Sequence, residues 1–373
     1  MKKVLLTATV QSHICQFHKP LAEMLHQKGY EVHVAAKDNL AEKQGLSLDF
    51  ADKVFDVPFS RSPKSKDNLA AYKALKKIIA ENGYDVIHCN TPMGGIVTRL
   101  AARRARRKGT KVIYTAHGFH FYNGAPKSHW LFYYPIEKMM AKYTDVLITI
   151  NEEDYALARK KLKVPKICKM NGVGIPFERL ETKACREDVR RELGLAEEDF
   201  VLLSVGELNK NKNNIVVLKA MAQLKNPHLK YVVLGNGPLR EELEREIEAL
   251  GLAAQVQFVG YTRDVGKYHK AADAFCFASL REGLGLAAIE AMHSGLPLIT
   301  SNVHGINDYS KNGVTGFSVA PHSVEEFAKA IQTLMGDRGL CAEMGEHNKR
   351  ASEIYSDVMA AEFLDKIYTE LGE

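Results

Sequence analysis

Two glutamates eight positions apart, Glu282 and Glu290, flank a glycine-rich turn within the segment REGLGLAAIEAMHSGLP. The turn follows an apolar run, residues 274–280, that is typical of a buried strand, and its glycines let the backbone approach a ligand closely. Residues 286–293 have the composition of a helix, and the free N–H groups at a helix N-terminus attract an anion or a hydroxyl. Alanine, isoleucine and methionine surround Glu290, which predicts a buried carboxylate that needs a partner. The alternative is a pair of solvent-facing acids, as most glutamates are.

A second candidate ligand loop, GELNKNKNN, follows the strand-like run 201–205 and precedes a helical segment. Its lysines, Lys210 and Lys212, lie ahead of a helix N-terminus and suit a phosphate or diphosphate, although such loops are also common surface turns. Two further loops, GNGP and GYTRD, follow later strand-like runs. In a parallel sheet all of these loops lie at the same edge as Glu282, where open α/β sheets bind ligands. Neither half carries the GxGxxG dinucleotide fingerprint after its first strand.

Alternating strand-like and helix-like segments run through the chain, which predicts parallel sheets covered by helices on both faces. One segment, Phe17 to Lys28, is predicted as a single helix that ends at a glycine. A glycine-rich break, NGVGIP at residues 171–176, and the charged segment after it mark a linker between domains. We therefore predict an N-terminal domain over 1–176, a C-terminal domain over 177–353, and a helix over 354–373 that packs back on the N-terminal domain.

Length and composition indicate two soluble domains, because 46% of the 373 residues are hydrophobic, 26% are charged, and no apolar run is long enough to span a bilayer. The six cysteines lack metal-site spacing, which predicts reduced thiols and a cytoplasmic protein. The chain has a net charge of +6, and much of the excess positive charge lies in two basic runs, 61–77 and 99–111. Aromatic residues are nearly absent from these runs, Tyr72 being the exception, which argues against nucleic acid as a partner.

The basic runs have two interpretations, a solvated helix face or a peripheral contact with the anionic inner face of the cytoplasmic membrane. An aromatic segment of the same predicted domain supports the second interpretation if it is exposed, and it forms core if it is buried. Its aromatic residues and flanking lysines are Trp130, Phe132, Tyr133, Tyr134, Lys127 and Lys138.

Motifs along nearly the whole chain resemble those of one enzyme family. They are GELNKNK, LGNGP, FVGYTRDV and EGLGLAAIEAMHSGLPLI in the second half, and IHCNTPMGG, KVIYTAHGFHFY and DVLITINEEDYALA in the first. The family is the retaining glycosyltransferases of family 4, and the chain is most similar to bacterial enzymes that build capsular, exopolysaccharide or O-antigen repeat units. The resemblance implies the α/β GT-B architecture, in which two Rossmann-like, doubly wound parallel-sheet domains face each other across a cleft.

The implied reaction is transfer of a hexose or N-acetylhexosamine from a UDP-sugar to a lipid-linked or oligosaccharide acceptor, with retention of configuration and without a cofactor. No DxD motif ends a strand-like run, so we expect no metal ion to be needed. Two other functions stay open. One is an isomerase of the same fold that resembles UDP-N-acetylglucosamine 2-epimerase, and the other is a nucleotide-sugar-binding subunit without catalytic activity.

The resemblance implies roles for single residues of the second half. Glu282 contacts hydroxyls of the donor sugar, Glu290 holds the ribose hydroxyls, and Lys212 neutralises the donor diphosphate. Glu207 stands where the family usually has an arginine, so either Lys210 or Arg263 supplies the second cation or Glu207 has a different role. The full set implied in nucleotide-sugar binding is Lys210, Lys212, Gly260, Tyr261, Arg263, Gly283, Leu284, Gly285, Leu286 and Glu290.

Histidines are the implied site residues of the first half. His117 follows the strand-like run 111–115, matches a first-domain histidine near the donor sugar, and is predicted to be catalytic together with Glu282. His13 is predicted to line the acceptor side. His120 is predicted either to pack among the neighbouring aromatic residues or to meet the acceptor.

Overall fold

The computed structural model describes residues 1–43 and 45–372. The chain divides into two compact units. The first unit comprises Met1–Gly174 and the residues from Asp357 onward, and the second comprises Ile175–Ser356. Within the described residues, each unit is built on a single parallel sheet, of seven strands in the first and six in the second.

The sheet of the first unit has the strand order β3-β2-β1-β4-β5-β6-β7. The order reverses between β1 and β4, and the crevice at such a reversal is where open α/β sheets bind ligands. The strand at the C-terminal end of this order, over Lys166–Lys169, was not predicted from the sequence. The strands are β1 (Lys2–Val10), β2 (Tyr30–Lys37), β3 (Lys53–Asp56), β4 (Val86–Asn90), β5 (Lys111–Ala116), β6 (Val146–Thr149) and β7 (Lys166–Lys169).

The helices of the first unit cover both faces of this sheet, as expected for βα units. They are α1 (Gln11–Phe17), α2 (Lys19–Gln27), α3 (Asp67–Asn82), α4 (Pro92–Arg106), α5 (Lys127–Met140) and α6 (Glu152–Lys161), with 3₁₀ helices at Leu40–Glu42 and Ala141–Tyr143. The prediction of one helix over Phe17 to Lys28 is wrong, because the chain breaks at His18 between α1 and α2. Pro20 lies in the first turn of α2, where its missing N–H is not needed but where it cannot continue a preceding helix.

The sheet of the second unit repeats the same pattern, with the order β10-β9-β8-β11-β12-β13 and a reversal between β8 and β11. Its strands are β8 (Phe200–Val205), β9 (Leu229–Leu234), β10 (Val256–Gly260), β11 (Ala274–Phe277), β12 (Leu298–Ser301) and β13 (Gly316–Val319). Its helices are α7 (Arg186–Glu192), α8 (Asn214–Leu224), α9 (Arg240–Ala249), α10 (Val265–Ala271), α11 (Leu286–His293), α12 (Val324–Gly336) and α13 (Arg338–Ser352), with 3₁₀ helices at Phe177–Leu180, Lys210–Lys212, His304–Asp308 and Glu353–Tyr355.

The C-terminal helix α14 (Asp357–Gly372) belongs to the first unit, although the second unit precedes it in the chain. The hydroxyl of Tyr368 lies 3.0 Å from Nδ1 of the buried His88, and Lys28 Nζ lies 2.8 Å from Asp365 Oδ1. The helix therefore completes the packing of the first sheet. Among residues 1–43 and 45–372, no helix combines the length and the apolar character that crossing a bilayer requires.

The basic run 99–111 is only partly the solvated face that its composition suggests. Arg103, Arg104 and Arg107 are exposed, but Arg99 is buried, with 1% of its surface accessible. A charged guanidinium is buried only with a partner, and here the partner is the carboxylate of Glu137 on α5. This pair joins α4 to α5 inside the first unit.

Candidate functional site

The loop after β8 holds Lys212 in a fixed position. The side chain of Asn209 accepts a hydrogen bond from the backbone N–H of Lys212 at 3.1 Å, which caps the short 3₁₀ helix. Asn213 adopts the left-handed conformation with φ of 52°, and its amide nitrogen donates to the carbonyl oxygens of Ala278 (3.2 Å) and Pro321 (2.7 Å). The lysine is thereby anchored against the loop that follows β11.

Lys212 and Glu282 form a direct ion pair, with 2.6 Å between Nζ and Oε1. Both side chains are about four-fifths buried, and Nζ also lies 4.5 Å from the centroid of the Phe277 ring. Asn211 bridges the same two loops. Its side-chain nitrogen donates to the backbone carbonyl of Arg281, and its backbone carbonyl accepts from the N–H of Leu280. Two predicted site residues from separate loops thus meet at the strand-order reversal of the second sheet.

The glycine-rich turn after Glu282 is shaped by close contacts that a side chain would prevent. Gly285 has φ of 91°, and a Cβ there would lie 2.5 Å from the Phe277 ring. His304 donates from Nδ1 to the backbone carbonyl of Glu282 at 2.6 Å, which fixes the start of the turn. The side chain of Leu284 is buried in the core, so only its backbone groups are available to contact a ligand.

Glu290 on α11 is buried, as its apolar neighbours predicted, and it has a charged partner. The guanidinium of Arg179, in the 3₁₀ helix Phe177–Leu180, pairs with its carboxylate. Desolvation raises the pKa of Glu290, while the positive charge of Arg179 and its hydrogen bond oppose the rise. No spacing in the sequence pointed to Arg179, because it lies 111 positions away in a charged linker segment.

The other predicted donor-site residues lie around this centre, and several are solvent-exposed. The carbonyl of Gly260 accepts from the N–H of Gly235 at 2.8 Å, which ties together the loops after β9 and β10. Tyr261 is 71% exposed, and the side chains of Arg263 and Lys210 are also exposed. They are placed at the sheet edge without contributing to the ion pair of Lys212 and Glu282.

Glu207, the departure from the family pattern, has a structural partner. Its Oε2 accepts a hydrogen bond of 2.8 Å from the side-chain nitrogen of Asn209, the residue that caps the Lys212 turn. The carboxylate therefore supports the loop geometry, which is a role that an arginine at this position would not perform.

In the first unit, His117 follows β5 directly and is partly buried. Its Nε2 lies 3.2 Å from the side-chain oxygen of Asn90, at the end of β4, and burial lowers its pKa to about 4. The ring of His13 approaches it edge-on at 4.7 Å between centroids, and burial lowers the pKa of His13 as well. Both imidazoles are therefore neutral at pH 7.

His120 packs against an aromatic side chain of α5, and its role at the acceptor stays a prediction. Its ring stacks on Tyr133 with 4.6 Å between centroids, and its carbonyl accepts from Nδ1 of His129. Two buried histidines that sequence reasoning did not single out lie beside the partly buried His13 and His117. They are His18, in the break between α1 and α2, and His88 on β4, whose pKa burial lowers to about 3.

Comparison with known proteins gives two family matches that together cover most of the chain. Residues 3–151 match the family described as "Glycosyl transferase 4-like", and residues 186–351 match "Glycosyl transferases group 1". The two matches fall in the first and second unit respectively.

Full-length relatives and a solved structure agree with these matches. The chain is 40% identical over 99% of its length, and 96% of the relative's, to EpsD of Bacillus subtilis (strain 168), whose name assigns it provisionally to the glycosyltransferases. It is 30% identical over 85% of its length, and 83% of the relative's, to the UDP-Gal:α-D-GlcNAc-diphosphoundecaprenol α-1,3-galactosyltransferase of Escherichia coli. The structure of Anabaena Alr3699/HepE in complex with UDP-glucose superposes with a TM-score of 0.80 at 19% identity, covering 99% of this chain and all of the other. The chain therefore belongs to the group 1, family 4-like glycosyltransferases and has their GT-B fold.

Proposed function

We propose that the chain transfers a hexose or N-acetylhexosamine from a UDP-sugar to a lipid-linked or oligosaccharide acceptor in bacterial polysaccharide synthesis, with retention of configuration. The observation that carries the proposal is the pairing of Lys212 with Glu282 at the ligand-binding edge of the second sheet. Two comparisons support it, since HepE was crystallised with UDP-glucose and the name of the E. coli relative describes transfer from UDP-galactose to a diphosphoundecaprenol-linked sugar.

The chemistry follows from an exchange of partners. A donor diphosphate competes with Glu282 for the ammonium group of Lys212, because two phosphate charges attract it more strongly than one carboxylate does. The released Glu282 carboxylate then accepts hydrogen bonds from sugar hydroxyls. As UDP leaves, Lys212 and the free N–H groups at the start of α11 stabilise the charge that develops on the diphosphate, which is the term that usually dominates catalysis.

The direct test is a screen of UDP- and GDP-sugars with a crude lipid extract, read by nucleotide release and by mass spectrometry. Transfer predicts UDP release that depends on the extract, together with a lipid product heavier by one sugar residue. An altered sugar formed without acceptor supports the isomerase alternative. Donor binding without any turnover supports the non-catalytic subunit, and either result contradicts the proposal.

Lys212→Ala should weaken UDP binding, since it removes a cation that faces the diphosphate. A charge-assisted contact contributes about 1.5–3 kcal/mol, so calorimetry should show a loss of roughly 10- to 10²-fold in affinity. Glu282→Gln is the matched control, because it breaks the same ion pair from the other side but removes the carboxylate that competes with the diphosphate, so it should not weaken UDP binding. Equal losses in the two variants would mean that the ion pair holds the loops in shape and that Lys212 has no separate role in binding UDP.

Membrane contact through the first unit is the location we propose, and α5 presents the surface for it. Leu131, Phe132 and Met139 are 69%, 64% and 48% exposed, and lysines 127, 138 and 142 around them are exposed as well. Only part of the predicted aromatic segment is exposed, because Trp130 and Tyr134 pack against the buried Phe121. Exposed apolar side chains ringed by lysines suit the interface of an anionic bilayer.

Sedimentation with anionic vesicles tests this location. Wild type should pellet at low salt and release at high salt, because the attraction of the lysines is screened. Replacing Leu131 and Phe132 together by serine should abolish pelleting, while neutral vesicles serve as the control lipid. Wild type that stays in the supernatant at low salt would rule out this surface as a membrane contact.

A further inference from the structure

Three histidines converge at the ligand-binding edge of the first sheet. His13 lies on α1, directly after β1, His18 lies in the break before α2, and His117 follows β5. Each of the three offers a ring nitrogen, and these nitrogen atoms all lie within 4.8 Å of one another. The ring of His13 stands between the other two, with centroid distances of 4.7 Å to His117 and 5.6 Å to His18.

Two of these imidazoles carry a buried nitrogen whose hydrogen-bonding capacity is unused. Within residues 1–43 and 45–372, Nε2 of His13 and Nε2 of His18 are buried and have no hydrogen-bond partner. Leaving a buried polar atom unsatisfied is unfavourable, so two such atoms in one cluster require an explanation beyond packing. A bound ion that accepts lone pairs from both nitrogens provides one.

His117 is held by a neighbour in the way that metal-ligating histidines usually are. The side-chain oxygen of Asn90 can only accept, so Nε2 of His117 carries the proton at their 3.2 Å contact and Nδ1 keeps a free lone pair. Asn90 is fully buried. His88 differs, because both of its ring nitrogens have partners, Tyr368 and Thr115. It borders the cluster without belonging to it.

We propose that His13, His18 and His117 bind one divalent transition-metal ion, for which Zn²⁺ is the best fit. Imidazole favours zinc, copper and nickel over magnesium and calcium, and the group contains no carboxylate. Three protein nitrogens and one exchangeable ligand form a common open zinc site. With Zn–N bonds of about 2.0–2.1 Å, tetrahedral ligands lie about 3.3 Å apart, so small rotations of the rings close the site. The proposal concerns the first unit and does not rest on the UDP-sugar assignment.

Metal binding by untagged, chelator-treated protein tests the proposal without any sugar donor. Calorimetry should show one Zn²⁺ per chain, and Co²⁺ should give the intense visible absorption of a tetrahedral site. His18→Ala should weaken Zn²⁺ binding by at least about 10²-fold, because losing a ligand costs at least as much as losing an outer-shell partner. His322→Ala, which removes an exposed histidine of the second unit, should bind as wild type does.

The outcomes separate this proposal from the proposed function. If the wild-type protein does not bind Zn²⁺ stoichiometrically, or gives no visible Co²⁺ band, the metal site is overturned. This test does not depend on the folding of any variant. Equal Zn²⁺ affinity in wild type and His18→Ala overturns it as well, and His13→Gln replaces His18→Ala if circular dichroism shows the latter unfolded. UDP binding without zinc binding would contradict the metal site alone, while zinc binding in a protein that does not bind UDP would contradict the proposed function alone.

Discussion

Arg99→Met is expected to lower the free energy of unfolding of the first unit by about 3–5 kcal/mol, because it leaves a buried carboxylate without its partner. Nη1 and Nη2 of Arg99 reach Oε1 and Oε2 of Glu137 at 2.5 and 3.2 Å, and Nε donates to the carbonyl of Gly95 at 3.0 Å. The guanidinium also lies 3.8 Å from the centroid of the Tyr114 ring. Methionine keeps much of the volume and none of these polar contacts.

Urea unfolding followed by tryptophan fluorescence measures this loss, since the single tryptophan, Trp130, lies on α5 in the same unit as the pair. Arg103→Met on the exposed side of α4 is the matched control and should change stability by no more than about 0.5 kcal/mol. The double change Arg99→Met with Glu137→Leu should recover much of the loss, because replacing both partners removes the unpaired charge. If Arg99→Met and Arg103→Met unfold alike, the buried pair does not stabilise the unit.

Arg99 also shows what a single sequence leaves undecided. It opens a basic run in which arginine occurs at positions 99, 103, 104, 106 and 107, and composition alone treats them as equivalent. Which of them faces inward depends on the partner that α5 presents, and Glu137 is 38 positions away. The local pattern therefore predicted the helix, while the buried ion pair required the tertiary structure.

The convergence of the loops that carry Lys212 and Glu282 was predictable from the sequence, whereas the convergence of the three histidines was not. Lys212 and Glu282 each follow an apolar strand, and the topology of a parallel sheet brings such loops to one edge whatever the loop sequences are. His18 lies inside the segment Phe17 to Lys28 that was predicted as one unbroken helix, and His13 precedes it. The break at His18 is what permits their convergence with His117. Their five-residue spacing alone carries no metal-site signature.

The missed elements of the second unit are those with weak local signals. Strand β13 contains only four residues, GFSV, and it begins at a glycine with φ of 140° whose Cβ would lie 1.9 Å from the carbonyl oxygen of Leu298. Helix α13, RGLCAEMGEHNKRAS, contains two glycines and few apolar residues, so its periodicity is faint. Pairing with β12 and packing on α11 stabilise these segments beyond their local propensity.

His117→Ala is expected to lower sugar transfer by about 10²-fold or more while UDP affinity stays unchanged. The imidazole follows β5 at the ligand-binding edge of the first sheet, whereas the residues proposed to hold UDP belong to the second unit. Burial lowers its pKa to about 4, so the ring is neutral at pH 7, and because Nε2–H is directed at Asn90, the Nδ1 lone pair of the metal-free protein is what accepts a hydrogen bond from the donor. Its titration should therefore leave the transfer rate flat between pH 6 and 8, and reduce it only as the pH falls toward about 4.

The measurement is transfer rate at saturating UDP-sugar, set beside UDP affinity from calorimetry for the same preparation. His120→Ala is the matched control, because it removes a histidine three positions away whose ring stacks on Tyr133. It should retain most of the transfer activity, since stacking supports the loop without supplying a group to the reaction. Should His120→Ala lose transfer while His117→Ala keeps it, the acting histidine is the one that packs on the aromatic helix, and the role assigned to His117 is wrong.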